Sequence, residues 1–303
     1  MKSADLLQRF YAYLLTEKRV ATNSFSAYKS DIAQFLTFLQ SEQVELDNVT
    51  QLHMKQFLHH LHKNNVGARS MARKLSSCRL LFTYLHDHAN ILNPMEEMSA
   101  PKFGKYLPKS LGEHEIQELF TVVDQDVTPV GVRNKVMLYL LYATGMRISE
   151  LIGLKTSDIH FDTGFITVTG KGNKVRMVPL PQSVLTMVRD YLTEIYPKLI
   201  AEGKKTATEY MFPVVYGGVV KAITRQACWM IFKNLWRKTN IKQSISPHQF
   251  RHSLATHMLE NGADLRSLQL LLGHENVTTV QVYTHLEVGN MRVMYDKKHP
   301  RSK

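Results

Sequence analysis

Apolar residues recur at helical spacing through the N-terminal third of the chain. Leu6, Leu7, Phe10, Tyr11 and Leu14 form one stripe, and Tyr28, Ile32, Phe35, Leu36 and Leu39 form a second. Thr22 and Ser24 lie between the two stripes, where their hydroxyls predict an N-cap for the second helix. A third helix is predicted over 51–62 and a fourth over 68–88. The fourth sets Met71, Leu75, Leu80, Leu81 and Leu85 on a buried side and Arg69, Arg73, Lys74 and Arg79 on an exposed one. No carboxylate precedes Asp87 on that helix, so the exposed side suits either plain solvation or contact with phosphates.

The periodicity then breaks. Pro94, Pro101, Gly104 and Pro108 sit among Lys102, Lys105 and Lys109, a composition that marks a basic linker. The expected organisation is therefore a helical unit over 1–92, a linker over 93–110 and a second domain over 111–303. In the second domain, helices are predicted at 113–123 and 133–143. Segments 164–168 and 175–180 carry β-branched alternation, joined as a hairpin by Gly170-Lys171-Gly172-Asn173. Helices resume at 184–200, 225–238, 247–261 and 265–272. The fold class expected is mainly α (α+β): a four-helix N-terminal domain, then a mostly helical domain holding a small antiparallel sheet.

Composition narrows the partners. At 303 residues the chain suits two domains, and a net charge of +12 with pI near 9.5 favours a polyanion, nucleic acid or an anionic membrane surface. No apolar run reaches the roughly 18–20 residues that span a bilayer. The start MKSADLLQRF has no signal-peptide core, which points to a soluble cytoplasmic protein rather than a membrane one. Two distant cysteines, Cys78 and Cys228, suit a reducing compartment and small core positions.

Chemistry-bearing residues are scattered and individually ordinary. Arg147 opens a short predicted helix after the turn Thr144-Gly145-Met146, with Glu150 one turn on. The two suit a surface ion pair, or a guanidinium held by a carboxylate and aimed at phosphate oxygens. His248 and Arg251 share a helix face near a start that Ser246 and Pro247 would cap. His248 and His252 have metal-ligand spacing, but Gln249, Phe250 and Arg251 between them do not make an HExxH pattern. The histidines His59, His60 and His62 read as an exposed helix face. Lys171 sits at a glycine-flanked hairpin tip, a solvated position or a mobile proton donor. His274 follows Gly273 at a predicted helix end, where it suits a C-terminal cap. Tyr283 alone is an unremarkable aromatic.

The conjunction is what carries weight. A phenol that cleaves a phosphodiester needs cations around the phosphoryl oxygens and a proton for the departing 5′ oxygen. Two guanidiniums, two imidazoles and a lysine meet those needs without metal or cofactor. Cations near Tyr283 would also favour its phenolate.

The stretches ATGMRISEL, GKGNKVRMVPL, HQFRHSLATHMLENGADLRSLQLLLGHENVTTVQVYTH and KKHPRSK resemble the tyrosine recombinase family of the phage-integrase type, and within it the Xer recombinases. The resemblance spans essentially the whole chain. It implies a SAM-like core-binding domain and a C-terminal catalytic domain. It also implies Tyr283 as the nucleophile of a 3′-phosphotyrosyl bond and Arg147 and Arg251 as a phosphate clamp. His248 and His274 would bind the phosphate or move protons. Lys171 would be the general acid, with Lys174 its competitor, and Glu150 a supporting group. The implied partners are double-stranded DNA with two half-sites and a homo- or hetero-tetramer that passes through a Holliday junction. The same resemblance adds a second Xer recombinase and an FtsK-like DNA translocase as partners, in the resolution of chromosome or plasmid dimers. The segment 289–303, with Met291, Val293, Met294 and Tyr295, is expected to dock on a neighbouring subunit or, as a basic tail, to bind DNA.

Three alternatives stand beside this. A mobile-element integrase would use the same chemistry, although many carry an added N-terminal domain for which there is no room before the first helix. A type IB topoisomerase would relax supercoils as a monomer. A non-catalytic DNA-binding module would need only the basic helices.

Overall fold

The computed structural model describes residues 3–96, 98, 110–170, 174–201, 203, 208–242, 247–273 and 285–301, with backbone alone at 3–4, 247–248 and 285–290. Contacts divide the chain into two compact units, Met1–Tyr106 and Leu107–Lys303.

The first unit is built from α1 (Ser3–Thr16), α2 (Thr22–Ser41), α3 (Gln51–Lys63) and α4 (Ala68–Ala89). The predicted stripes do bury: Phe10, Leu14, Ile32, Phe35, Phe57, Leu81 and Phe82 meet in one core, with Phe35 edge-on to both Phe57 and Phe82. Two local expectations fail. Ala21 occupies the N-cap of α2 with no side-chain bond, and Thr22 and Ser24 fall inside the helix. Lys74, assigned to the exposed side of α4, is buried, because a carboxylate from another helix draws it in. Fully buried Asp31 of α2 accepts from Lys74 Nζ at 3.1 Å, from Ser77 Oγ at 2.8 Å and from Arg73 Nη1. The first residues of the predicted linker turn back on this unit, where Met95 joins the core and Arg79 donates to the Met98 carbonyl at 2.7 Å. Lys102, Lys105 and Lys109 lie outside the described residues.

The second unit is organised around α6 (Pro129–Thr144), which is apolar nearly all round, as a central core helix should be. Thr128 caps its start, and Gly145, left-handed at φ +58, ends it. Around it lie α5 (Glu113–Asp124), α7 (Ile148–Ile152), α8 (Gln182–Asp190), α9 (Tyr196–Ile200), α10 (Arg225–Arg237), α11 (Pro247–Glu260), α12 (Leu265–Leu272) and α13 (His285–Lys298). The sheet is antiparallel, in order β1 (Ile159–His160), β2 (Phe165–Thr169), β3 (Val175–Pro179), with Phe165 opposite Pro179 and Thr169 opposite Val175.

Two features depart from the sequence expectation here. The single helix predicted over 184–200 contains a π-helical stretch, Tyr191–Ile195, just before Pro197. Proline has no N–H, and its ring crowds the carbonyl four residues back, so the helix widens instead of continuing. The second feature is a hairpin absent from the predicted elements, β4 (Pro213–Tyr216) with β5 (Val219–Ala222), turned through Gly217 and Gly218 at positive φ.

The segment expected to dock on a neighbour is packed within its own unit. Met291 and Tyr295 of α13 are in the core, and the Tyr295 hydroxyl donates to the Ala143 carbonyl at 2.8 Å. Arg292 reaches the Gly164 and Leu180 carbonyls, and Arg301 lies over the Phe120 ring at 4.0 Å. Apolar side chains with a core of their own chain within reach bury there, which leaves Val293 as the exposed apolar residue among the four named.

Candidate active site: three arginines around one carboxylate

The left-handed turn at Gly145 releases the chain from α6 and sets Arg147 as the extended N-cap of α7, with φ −74 and ψ 155. Glu150, in the first turn of α7, folds back to accept from the Arg147 backbone N–H at 2.7 Å and from Arg147 Nη1 at 2.9 Å. The expected pair is therefore real, but it is no surface pair. The Glu150 side chain is 3% exposed and the Arg147 side chain 39%, so the carboxylate anchors from below while the guanidinium faces outward.

A third residue, unassigned by sequence reasoning, completes the carboxylate's coordination. Arg176 on β3 forks onto Glu150, with Nη1 to Oε1 at 3.1 Å and Nη2 to Oε2 at 2.9 Å. Its Nε donates to the Leu271 carbonyl at 3.1 Å. Arg251 on α11 gives Nη1 to the Gly145 carbonyl at 2.8 Å and Nη2 to the Leu272 carbonyl. The free carbonyls at the C-terminus of α12, the negative end of its dipole, are thus taken up by two arginines.

The electrostatics follow from this crowding. Burial pushes the Glu150 pKa up, but the bonds from Arg176 and Arg147 outweigh it and hold the carboxyl below its ordinary range. Burial, reinforced by repulsion from Arg147 and Arg176, lowers Arg251 to about 10. Three guanidiniums against one carboxylate leave a local charge of +2, and an anion placed beside them would relieve the repulsion. Close backbone approach makes the cluster possible. A Cβ at Gly145 would stand 2.7 Å from Leu272 Cδ2, and one at Gly273 would stand 3.0 Å from Arg176 Cδ.

Of the residues singled out from sequence, the structure brings Arg147 and Arg251 together through Gly145 and places Glu150 between Arg147 and Arg176. His248 lies on α11 with its backbone alone described. Lys171, His274 and Tyr283 lie outside the described residues, as does Ser246. The hairpin carrying Lys171 is closed at its base by Gly170 N–H donating to the Lys174 carbonyl at 2.7 Å, and Lys174 is exposed. Among the described residues no group of three His, Cys, Asp or Glu is placed to hold a metal. Cys78 and Cys228 are buried with thiols pushed up to about 12 by burial, so neither is a nucleophile.

A second basic surface is borne by α10. Arg225, Trp229, Lys233 and Arg237 recur at four-residue spacing and are all exposed, and Lys233 Nζ lies 4.8 Å from the Trp229 ring centre. The segment 225–238 contains no carboxylate. Among the described residues no helix is long and apolar enough to cross a membrane.

Comparison with known proteins bears on both units. The Phage integrase family pattern matches residues 109–289, and the Phage integrase N-terminal SAM-like domain matches 7–88. Tyrosine recombinase XerD of Listeria innocua is 37% identical over 301 residues, covering 98% of this chain and 99% of that protein. Tyrosine recombinase XerD of Staphylococcus saprophyticus is also 37% identical, with the same coverage. Among solved structures, the XerH site-specific recombinase bound to palindromic difH substrate aligns with a TM-score of 0.69 at 20% identity, over 97% of this chain and 84% of that one.

Proposed function

We propose how the reaction is divided among residues in this chain, which belongs to the phage integrase family and is a site-specific tyrosine recombinase that cleaves and rejoins DNA. The Tyr283 oxygen attacks the scissile phosphorus, the bond to the 5′ oxygen breaks, and a 3′-phosphotyrosyl link forms. Arg147 and Arg251 hold the non-bridging oxygens, whose charge grows as the phosphorus becomes five-coordinate. Lys171 gives its proton to the departing 5′ oxygen, while His248 and His274 bond the phosphate and take the phenolic proton. Rejoining runs the same steps backward from a new 5′ hydroxyl. No metal or cofactor enters this scheme.

The observation that carries this reading is the convergence of Arg147 and Arg251 on one turn, with a carboxylate fixing the first and backbone carbonyls fixing the second. Such anchoring presents guanidiniums already oriented, so little reorganisation is needed as charge develops. The +12 net charge and the acid-free exposed face of α10 support a duplex DNA partner. Solved structures of similar fold include a lambda integrase dimer bound to a core site and a lambda integrase tetramer bound to a Holliday junction. On that likeness we assign this chain two half-sites and a homo- or hetero-tetramer; its XerD relatives are the ground for a second Xer recombinase and an FtsK-like translocase as candidate partners, and for work in the cytoplasm.

Near-complete two-way coverage with XerD proteins favours chromosome or plasmid dimer resolution over mobile-element integration. The test is a nicked duplex carrying sequence that the full-length chain selects from a random pool. A covalent adduct should accumulate and should vanish in Tyr283→Phe; an adduct that persists in that variant removes Tyr283 from its role. Relaxation of a supercoiled plasmid lacking the selected site would instead mark a topoisomerase.

A further inference from the structure

Arg176 is one of the few buried charged side chains among the described residues, and its guanidinium bonds through all three nitrogens. All its described hydrogen bonds go to two places: the Glu150 carboxylate that anchors Arg147, and the Leu271 carbonyl beside the one that anchors Arg251. It stands on β3, the strand that leaves the Lys171 hairpin, and its stem packs against Gly273 at the end of α12.

We infer that Arg176 is a positioning residue for DNA cleavage: by neutralising Glu150 and bracing the end of α12, it leaves Arg147 free to spend its remaining donors on the scissile phosphate. Glu150 is bound by two guanidiniums of unequal exposure. The buried one saturates both carboxylate oxygens, and the exposed one touches Oε1 through Nη1 alone. Remove Arg176, and the sole remaining cation on that carboxylate is Arg147. A buried carboxylate with one cationic partner draws that partner into a bidentate grip. Arg147 would then rotate its fork inward, and its outward donors would be lost to substrate. The same loss would free the Leu271 carbonyl and loosen the end of α12.

This inference rests on the recombinase reading for its catalytic arm and not for its structural arm, so both are measured. In single-turnover cleavage of the selected nicked duplex, Arg176→Met should react about 100-fold more slowly, the scale set by a misplacement near 1 Å, with DNA binding changed less than about twofold. Glu150→Gln alone should cost about tenfold. The double variant Arg176→Met/Glu150→Gln should recover to that tenfold level, because the charge that captures Arg147 is gone. A role limited to holding the fold gives no such recovery, since the double variant removes more bonds than either single one. Hydrogen exchange on the DNA-free protein should rise severalfold in α7 and at the end of α12 in Arg176→Met, while α8 stays as in the parent. A double variant as slow as or slower than Arg176→Met overturns the positioning role, and so does unchanged exchange in α7 and α12. If the parent protein forms no adduct on the selected duplex, the recombinase scheme fails, and the exchange result alone decides the strut.

Discussion

Among the described residues, each unit of this protein buries one carboxylate among cations, and the two clusters put it to different uses. Asp31 in the first unit is fully buried and takes up Lys74 and Arg73 from a single neighbouring helix, together with Ser77. Glu150 in the second gathers Arg147 and Arg176 from separate elements, with Arg251 held alongside on carbonyls. One carboxylate thereby pins α2 to α4 and converts predicted surface charge into core structure. Each also holds an exposed guanidinium, Arg73 on Asp31 and Arg147 on Glu150, but the second stands beside a further guanidinium, Arg251, which it repels. A buried acid is thus a fastener where its cations come from one helix, and an aiming device where they come from separate elements and converge with another guanidinium; charge counting cannot tell the two apart.

The contrast breaks or sharpens by substitution. Asp31→Ala strands Lys74 in the core and should cost about 3–5 kcal/mol in denaturant unfolding, with cleavage per bound complex within about twofold of the parent. A large loss of cleavage rate at full DNA occupancy would merge the two clusters into one kind. Arg251→Lys keeps the charge but cannot bridge the Gly145 and Leu272 carbonyls; single-turnover cleavage should fall about 100-fold, near 2.7 kcal/mol. Unaltered cleavage would show that charge without the fork is enough.

His299 supplies a buried titratable group of a third kind. Burial, aided by Arg301 and His257, lowers its pKa to about 3. The unfolded chain gains a proton here as pH falls below about 6.5, and the folded chain does not until about pH 3. The group therefore leaves stability untouched above that range and lowers it on acidification, by about 1.4 kcal/mol per pH unit. His299→Phe, which keeps a ring against Tyr295, should remove that share of the slope between pH 6 and 5 in chemical denaturation; an unchanged slope would show that the imidazole is charged in the folded state. The smallest effect belongs to the exposed Asp5–Arg9 pair, 3.2 Å apart on α1. Arg9→Ala should shift stability by less than about 1 kcal/mol, and a larger shift would mean that exposure is a poor guide to what an ion pair contributes.

Legibility in the sequence followed the range of the interaction. The helices of both units and the β2–β3 hairpin announced themselves because their periodicity is local, and Arg147 with Glu150 because both lie within one turn. Arg251 needed a family pattern, since its anchors Gly145 and Leu272 are far away in sequence. Arg176 was invisible: in Val-Arg-Met-Val-Pro it occupies an alternating position that ordinarily faces solvent, and its reason for burial sits 26 residues upstream at Glu150. Asp31 hid for the same cause, 43 residues from Lys74. The β4–β5 hairpin was legible in principle, because Gly217-Gly218 between β-branched residues is a two-residue turn signal. The cis packing of α13 was not, because an apolar stripe does not say whose core it will enter.

The approach at Gly145 has a consequence for how this chain can vary. The carbonyl that holds Arg251 belongs to a residue whose missing side chain lets Leu272 and Leu254 close over it. An alanine there would suffer twice, from its backbone angle and from a methyl group with nowhere to go. The strain would fall on the contact that keeps one guanidinium beside the other, so a change of one carbon at this turn would put the proposed phosphate clamp out of register.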